Sequence, residues 1–125
     1  EADLFDLYVY SDLVTYPSCW EGFGNQFLEA VLSKTPVVVF EYPVFVNDIK
    51  PKGFKVISLG RRVFYDPETG LAKIDKSVMK KAVEESIAIL TNRKKYQEMT
   101  RRNFQIARDN FSYKNTLKLF KQVLI

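Results

Sequence analysis

Two glutamates, Glu21 and Glu29, bracket the segment Gly22-Phe23-Gly24-Asn25-Gln26-Phe27-Leu28. A carboxylate offers two acceptor oxygens and a sugar cis-diol offers two donors, so each glutamate is suited to grip a hydroxylated ring. Glycine permits positive φ and lets backbone approach a ligand closely, so Gly22 and Gly24 read as the flanks of a tight turn. Where a helix opens after such a turn, the amides of Gly24, Asn25 and Gln26 are its first donors and lack intrahelical partners. With the helix dipole they make an anion site suited to phosphate. Glu29 lies one turn beyond Asn25, about 6 Å along the axis, which resembles the step from a bound diphosphate to its ribose. Glu21 precedes the turn, where a sugar carried on that diphosphate would lie. The plainer reading makes Gly-x-Gly a simple turn, Glu29 a solvated helix residue and Glu21 a loop charge.

Much other chemistry is excluded. The chain has no histidine and a single cysteine, Cys19. Ser/His and Cys/His nucleophiles, the usual zinc sites and an internal disulfide are thereby removed. No metal or cofactor is expected, and the lone thiol fits a reducing, cytoplasmic setting. At 125 residues, 46% hydrophobic and 27% charged, the chain has the make-up of one ordinary globular domain. No apolar run approaches the ~20 residues that span a bilayer, and the acidic opening Glu1-Ala2-Asp3 is no signal peptide. Without an initiator methionine, the chain is expected to be a piece of a longer protein.

The net charge is +4, with Arg93-Lys94-Lys95 and Arg101-Arg102 supplying much of the excess. Such residues usually form a solvated helix face. Peripheral contact with anionic lipid is the sharper reading, and nucleic acid is not expected because no stacking motif accompanies the charges.

The elements around the glutamates alternate. Leu4 to Tyr10 places Leu4, Leu7 and Tyr8 on one helical face, and Leu13 to Tyr16 reads as a strand ended by Pro17. Gly24 to Lys34 reads as a helix with Phe27, Leu28, Val31 and Leu32 inward. After Pro36, Val37-Val38-Val39-Phe40 is apolar throughout, as in a parallel strand covered on both faces. Lys55 to Leu59 is a third strand candidate, so the architecture is α/β with right-handed βαβ crossovers. The 42–53 loop carries two aromatics that look exposed, Tyr42 and Phe45. Turn chemistry in Asp66-Pro67-Glu68-Thr69-Gly70 predicts a hairpin or irregular excursion from Arg61 to Ile74. Asp75 can cap a helix in which Met79, Val83, Ile87 and Leu90 fall on one face. A further helix is predicted from Lys94 to Asp109, and another near Ser112 burying Leu117, Phe120 and Leu124.

The segment from Ser11 to Val38 resembles the Glu-x7-Glu region of retaining glycosyltransferases of the GT-B fold, glycosyltransferase family 4. Ser11-Asp12, Pro17-Ser18, Glu21-Gly22-Phe23-Gly24, Leu28-Glu29-Ala30 and Pro36-Val37-Val38 stand in the family's order and spacing. Over residues 3–40 the likeness is specific. Beyond them it rests on element order.

The resemblance implies a Rossmann-like α/β/α domain, the C-terminal donor-binding part of such an enzyme, with residues 1–125 forming one partial domain. The donor would be a nucleotide-diphosphate sugar and the reaction retaining hexosyl transfer, with a small molecule, saccharide or lipid-linked acceptor. Glu21 would be the catalytic-site residue, contacting donor hexose hydroxyls and stabilising charge at the reacting carbon. Amides of Gly24, Asn25 and Gln26 would hold the diphosphate, Glu29 the ribose, and Pro17, Ser18, Gly22 and Phe23 would complete the donor pocket. Asn25-Gln26 replaces the family's more usual aliphatic pair. Asp48 falls where many members carry an acid near the donor. The arginine and lysine that steady the leaving diphosphate would lie upstream of residue 1, so the chain alone is not expected to turn over. Trp20 reads as a partly buried loop anchor or as a platform for a ligand. A nucleotide-binding module without catalysis is the competing reading.

Overall fold

The computed structural model describes residues 4–112 together with Lys114 and Lys121. The helix anticipated near Ser112, with Leu117, Phe120 and Leu124, lies outside the described residues. The order is α1 (Leu4–Val9), β1 (Val14–Tyr16), α2 (Asn25–Leu32), β2 (Val37–Val39), a π-turn (Phe45–Ile49), a 3-10 turn (Lys50–Lys52) and β3 (Ile57–Ser58). A hairpin of β4 (Phe64–Tyr65) and β5 (Ala72–Lys73) follows, then α3 (Lys76–Leu90) and α4 (Arg93–Phe111). This is the expected α/β domain, consistent with a Rossmann-like α/β/α arrangement.

Strand β2 is the centre. Its three valines are all buried, and it pairs in parallel with β1 on one side and β3 on the other. Val14 stands opposite Val37 and Tyr16 opposite Val39, while Val38 stands opposite Ile57. An all-apolar strand demands cover on both faces. Helix α2 supplies part of that cover through Phe27, Ala30 and Val31, whereas Leu32 is 41% exposed. The Phe27 ring meets Phe45 at 5.4 Å and Phe54 at 5.3 Å, both edge to face, a favoured aromatic geometry.

Tyr42 and Phe45 are not exposed: both are completely buried. Pro43 and Pro51 punctuate the crossover from β2 to β3, but the chain coils there as π- and 3-10 turns and drives its aromatics inward. The face of α3 that carries Met79, Val83, Ile87 and Leu90 also departs from an apolar stripe's usual fate. These residues are 44–57% exposed, and the helix instead buries Ala82. A small residue lets α3 sit close to β3 and α4, its contacting neighbours.

Local capping follows the sequence. Asp75 accepts from the Ser77 amide at 2.7 Å to start α3, and Asn92 accepts from the Lys95 amide at 3.0 Å to start α4. In the hairpin, Asp66 Oδ1 accepts from the amides of Glu68 and Thr69 at 3.0 Å each. Helix α4 is held by Asn103, 1% exposed, whose side chain donates to the Lys55 carbonyl at 2.7 Å and accepts from the Lys55 amide at 2.8 Å. This amide pair copies a strand's pattern and pins α4 to the chain entering β3.

The basic residues of α3 and α4 are interleaved with acids. Lys80, Lys81 and Lys94 each lie 4.0 Å from a glutamate one turn on, and Arg102 donates to the Gly53 carbonyl at 3.1 Å. That pattern fits a solvated face better than a lipid-binding one. Among the described residues no helix is long and apolar enough to cross a membrane.

Candidate functional site

The segment between β1 and α2 leaves the carboxyl end of the sheet, where open α/β folds bind ligands. Its decisive residue is Gly24, which caps α2 at φ 94°, ψ 60°, in the left-handed region. A Cβ there would stand 2.1 Å from Tyr42 Oη and 3.4 Å from Tyr16 Oη. Only glycine fits. No side chain caps α2, so the first amides of the helix are left for a ligand or solvent. The Phe27 amide is already spent on the Gly24 carbonyl at 3.0 Å.

Gly22 plays no such role. Its φ is not positive, and a Cβ at this position would meet nothing within 4 Å. The expectation that both glycines need special backbone holds for Gly24 alone. Open space at Gly22 still leaves its backbone approachable.

Phe23 turns its ring inward, 5.5 Å from Phe111, and its carbonyl accepts from Tyr42 Oη at 2.9 Å. It anchors the turn and offers a ligand only its backbone. Asn25 and Gln26 are exposed at the helix start, Pro17 is exposed, and Ser18 is half-buried. The Ser18 hydroxyl reaches the Trp20 carbonyl at 3.2 Å and also the Glu21 carboxylate.

The two glutamates are joined through tyrosines. Glu21 hydrogen-bonds Ser18 and Tyr16, which hold its carboxyl below the usual glutamate value. Tyr16 Oη also lies 3.3 Å from Gln26 Oε1. Burial, then the bond to Glu21, pushes the Tyr16 pKa up, with Tyr8 close enough to add to the effect. Tyr8 in turn hydrogen-bonds Glu29, and its pKa rises through burial first and that bond second. Tyr42, packed edge-on to Tyr16 at 6.1 Å, is pushed up to about 12 by burial and the Glu21 charge. Tyr8 and Tyr16 thus link the two glutamates through their hydroxyls, on either side of the α2 opening in sequence. None of the three tyrosines was singled out for this site by sequence reasoning, because nothing in their spacing distinguishes them from core aromatics.

A cleft of about 440 Å³ is lined by Cys19 and Trp20 of the β1–α2 segment and, among others, by Glu41, Arg61 and Tyr65. Trp20 is no buried anchor. It is 80% exposed. Glu41, 7% exposed, lies just past β2 and is held by Lys50 Nζ at 2.8 and 2.7 Å, Ser58 Oγ at 2.8 Å and Arg61 Nε at 3.1 Å. Burial raises its pKa, but these donors outweigh burial and the carboxyl stays below its usual value. Asp48, the acid the resemblance suggested, is exposed and does not line the cleft. Glu41 is an acid of the cleft that sequence reading did not single out. A carboxylate directly after four apolar residues, at a strand's carboxyl end, was the signal that could have found it.

No protein-family model matches the chain, and no solved structure gives a significant match. Two curated proteins do. The chain is 51% identical over 106 residues to mannosylglucosylglycerate synthase of Thermotoga maritima, covering 85% of this chain and 24% of that protein. It is 44% identical over 111 residues to mannosylglucosylglycerate synthase of Petrotoga mobilis, covering 89% of this chain and 25% of that protein. The chain spans about a quarter of the length of these relatives. Along most of its length, then, it is homologous to part of two glycosyltransferases.

Proposed function

We propose that this chain binds the nucleotide-sugar donor within a longer retaining glycosyltransferase of the GT-B fold, family 4. The observation that carries the reading is Gly24, whose left-handed turn opens an uncapped helix between Glu21 and Glu29. The amides of Gly24, Asn25 and Gln26 take the diphosphate, and their dipoles face the charge that grows as the leaving group departs. Glu29, presented beside Tyr8, takes the ribose hydroxyls. Glu21, kept ionised by Ser18 and Tyr16, takes the donor hexose and stabilises positive charge at its reacting carbon. The relatives' name joins mannosyl and glucosyl units to glycerate, which supports hexosyl transfer in building a compound of that class.

Calorimetric titration with UDP-, GDP- and ADP-hexoses, on the chain and on Glu29→Ala, tests the reading. One nucleotide sugar should bind, and the variant should bind it about 1.5–3 kcal/mol more weakly, the range for hydrogen bonds to a charged group. Equal binding by both proteins removes Glu29 from the site.

A further inference from the structure

Glu21 sits in a loop, and one contact ties its carboxyl to the sheet. The residue after it, Gly22, is exposed, and a Cβ there would meet nothing within 4 Å. Ser18 and Tyr16 hold the carboxyl. Ser18 belongs to the same loop and bonds the Trp20 carbonyl at 3.2 Å, so it shares the loop's position without fixing it. Tyr16 is different. It ends β1, stands opposite Val39 of the central strand, and its carbonyl accepts from the Phe40 amide at 3.1 Å.

The Tyr16 hydroxyl is itself held in place. Its ring packs edge-on to Tyr42 at 6.1 Å, and its oxygen stands 3.4 Å from where a Gly24 Cβ would be. Tyr42 Oη is nearer to that point, at 2.1 Å, but Tyr42 is fully buried and donates to the Phe23 carbonyl at 2.9 Å. Two hydroxyls thus back the opening of α2 with different tasks. Tyr42 holds the turn, and Tyr16 reaches past it to Glu21. A phenol has one proton to give. Gln26 Oε1 lies 3.3 Å away, long for an O–H···O bond, and the ionised Glu21 carboxylate is the stronger acceptor. The proton goes to Glu21. A carboxylate has about four lone-pair sites, so bonds from Tyr16 and Ser18 set its direction and leave acceptor capacity for sugar hydroxyls.

We infer that Tyr16 is a positioning residue: anchored at the end of β1 beside Gly24, it aims the Glu21 carboxylate at the donor hexose and sets how much that hexose adds to binding. The assignment rests on the donor reading above. Because Tyr16 acts through Glu21, removing its hydroxyl has a signature that general loosening of the fold lacks.

Calorimetry would compare the UDP-, GDP- or ADP-hexose that binds best with its own nucleoside diphosphate. The proteins are the parent chain, Tyr16→Phe, Glu21→Ala, the double variant and Tyr96→Phe. Tyr16→Phe keeps the ring and removes only the hydroxyl. Tyr96 donates to the Lys34 carbonyl at 3.5 Å, just past α2, and controls for loss of a phenol elsewhere. The ratio of nucleotide-sugar to nucleoside-diphosphate affinity reads the hexose contribution. Tyr16→Phe should lower that ratio about fivefold or more, with the nucleoside diphosphate bound within about twofold of the parent. Tyr96→Phe should change neither. On the Glu21→Ala background Tyr16→Phe should have no further effect, since residues that act as a unit are not additive. In the ligand-free chain, carbon-13 NMR of the carboxyl should show Glu21 titrating higher in Tyr16→Phe, because a bond that lowers it is gone. Equal losses for both ligands, an undiminished effect on the Glu21→Ala background, or an unmoved Glu21 titration each overturns the assignment. A parent chain that binds neither ligand sinks the donor reading and this assignment with it. Binding of both, with the ratio unchanged in Tyr16→Phe, sinks this assignment alone.

Discussion

A methyl group at Gly24 would lie 2.1 Å from the Tyr42 hydroxyl oxygen, inside any tolerable contact, on a backbone already left-handed at φ 94°. Gly24→Ala should therefore cost about 2–4 kcal/mol, combining the left-handed penalty with loss of the Tyr42 to Phe23 hydrogen bond. Urea denaturation would measure it, and adding Tyr42→Phe should recover part of the loss by making room. A fully stable Gly24→Ala would contradict the left-handed turn at this position. Glu41 allows a second check at this scale. Its folded-state pKa is depressed below the usual 4.5, so its contribution is complete above that pH and vanishes as pH falls through the lowered value. The stability margin of the parent chain over Glu41→Gln should therefore hold from pH 7 to about 5 and narrow toward pH 3. A margin unchanged at pH 3 would contradict the ion cluster.

At the scale of elements, β2 and α2 were legible because their patterns leave little choice. Four apolar residues after Pro36, three of them β-branched valines, suit a covered strand, and Gly24 marks the helix start with a left-handed turn that favours glycine. The 42–53 crossover was not legible. Prolines signalled an exposed loop, whereas burial of Tyr42 and Phe45 comes from packing on Phe27 and Tyr16 across the fold. Helix α3 misled for a related reason: periodicity reports that a face is apolar, not which neighbour is close enough to cover it. Asn103 in α4 reads as an unremarkable polar residue until Lys55, 48 positions earlier in the chain, is brought beside it. Asn103→Leu should lower stability by about 2–4 kcal/mol, since two hydrogen bonds are lost and the Lys55 backbone groups are left unmet. A shift in urea midpoint without a change in slope would show it, and a loss below ~0.5 kcal/mol would demote the contact to a surface bond.

Taken whole, the molecule brings the β1–α2 segment, Glu41 and Arg61 to the carboxyl end of a small parallel sheet. Among the described residues β1 and β3 each pair only with β2, and the apolar face of α3 remains open. The glutamate pair and the helix opening were readable as a motif because they lie within nine consecutive residues, Glu21 to Glu29. The cleft was not, since Trp20, Glu41 and Arg61 follow three different strands and meet only when those strands align.

The central claim is that the opening of α2 receives a diphosphate, and amide NMR of the isotopically labelled chain tests it most directly. On adding inorganic pyrophosphate, and then the nucleotide sugar that binds best, the largest shifts should fall on Gly24, Asn25 and Gln26. Shifts concentrated instead on the basic residues of α4, at Arg93, Lys94, Lys95 and Arg101, or no shift at the helix opening, would contradict it.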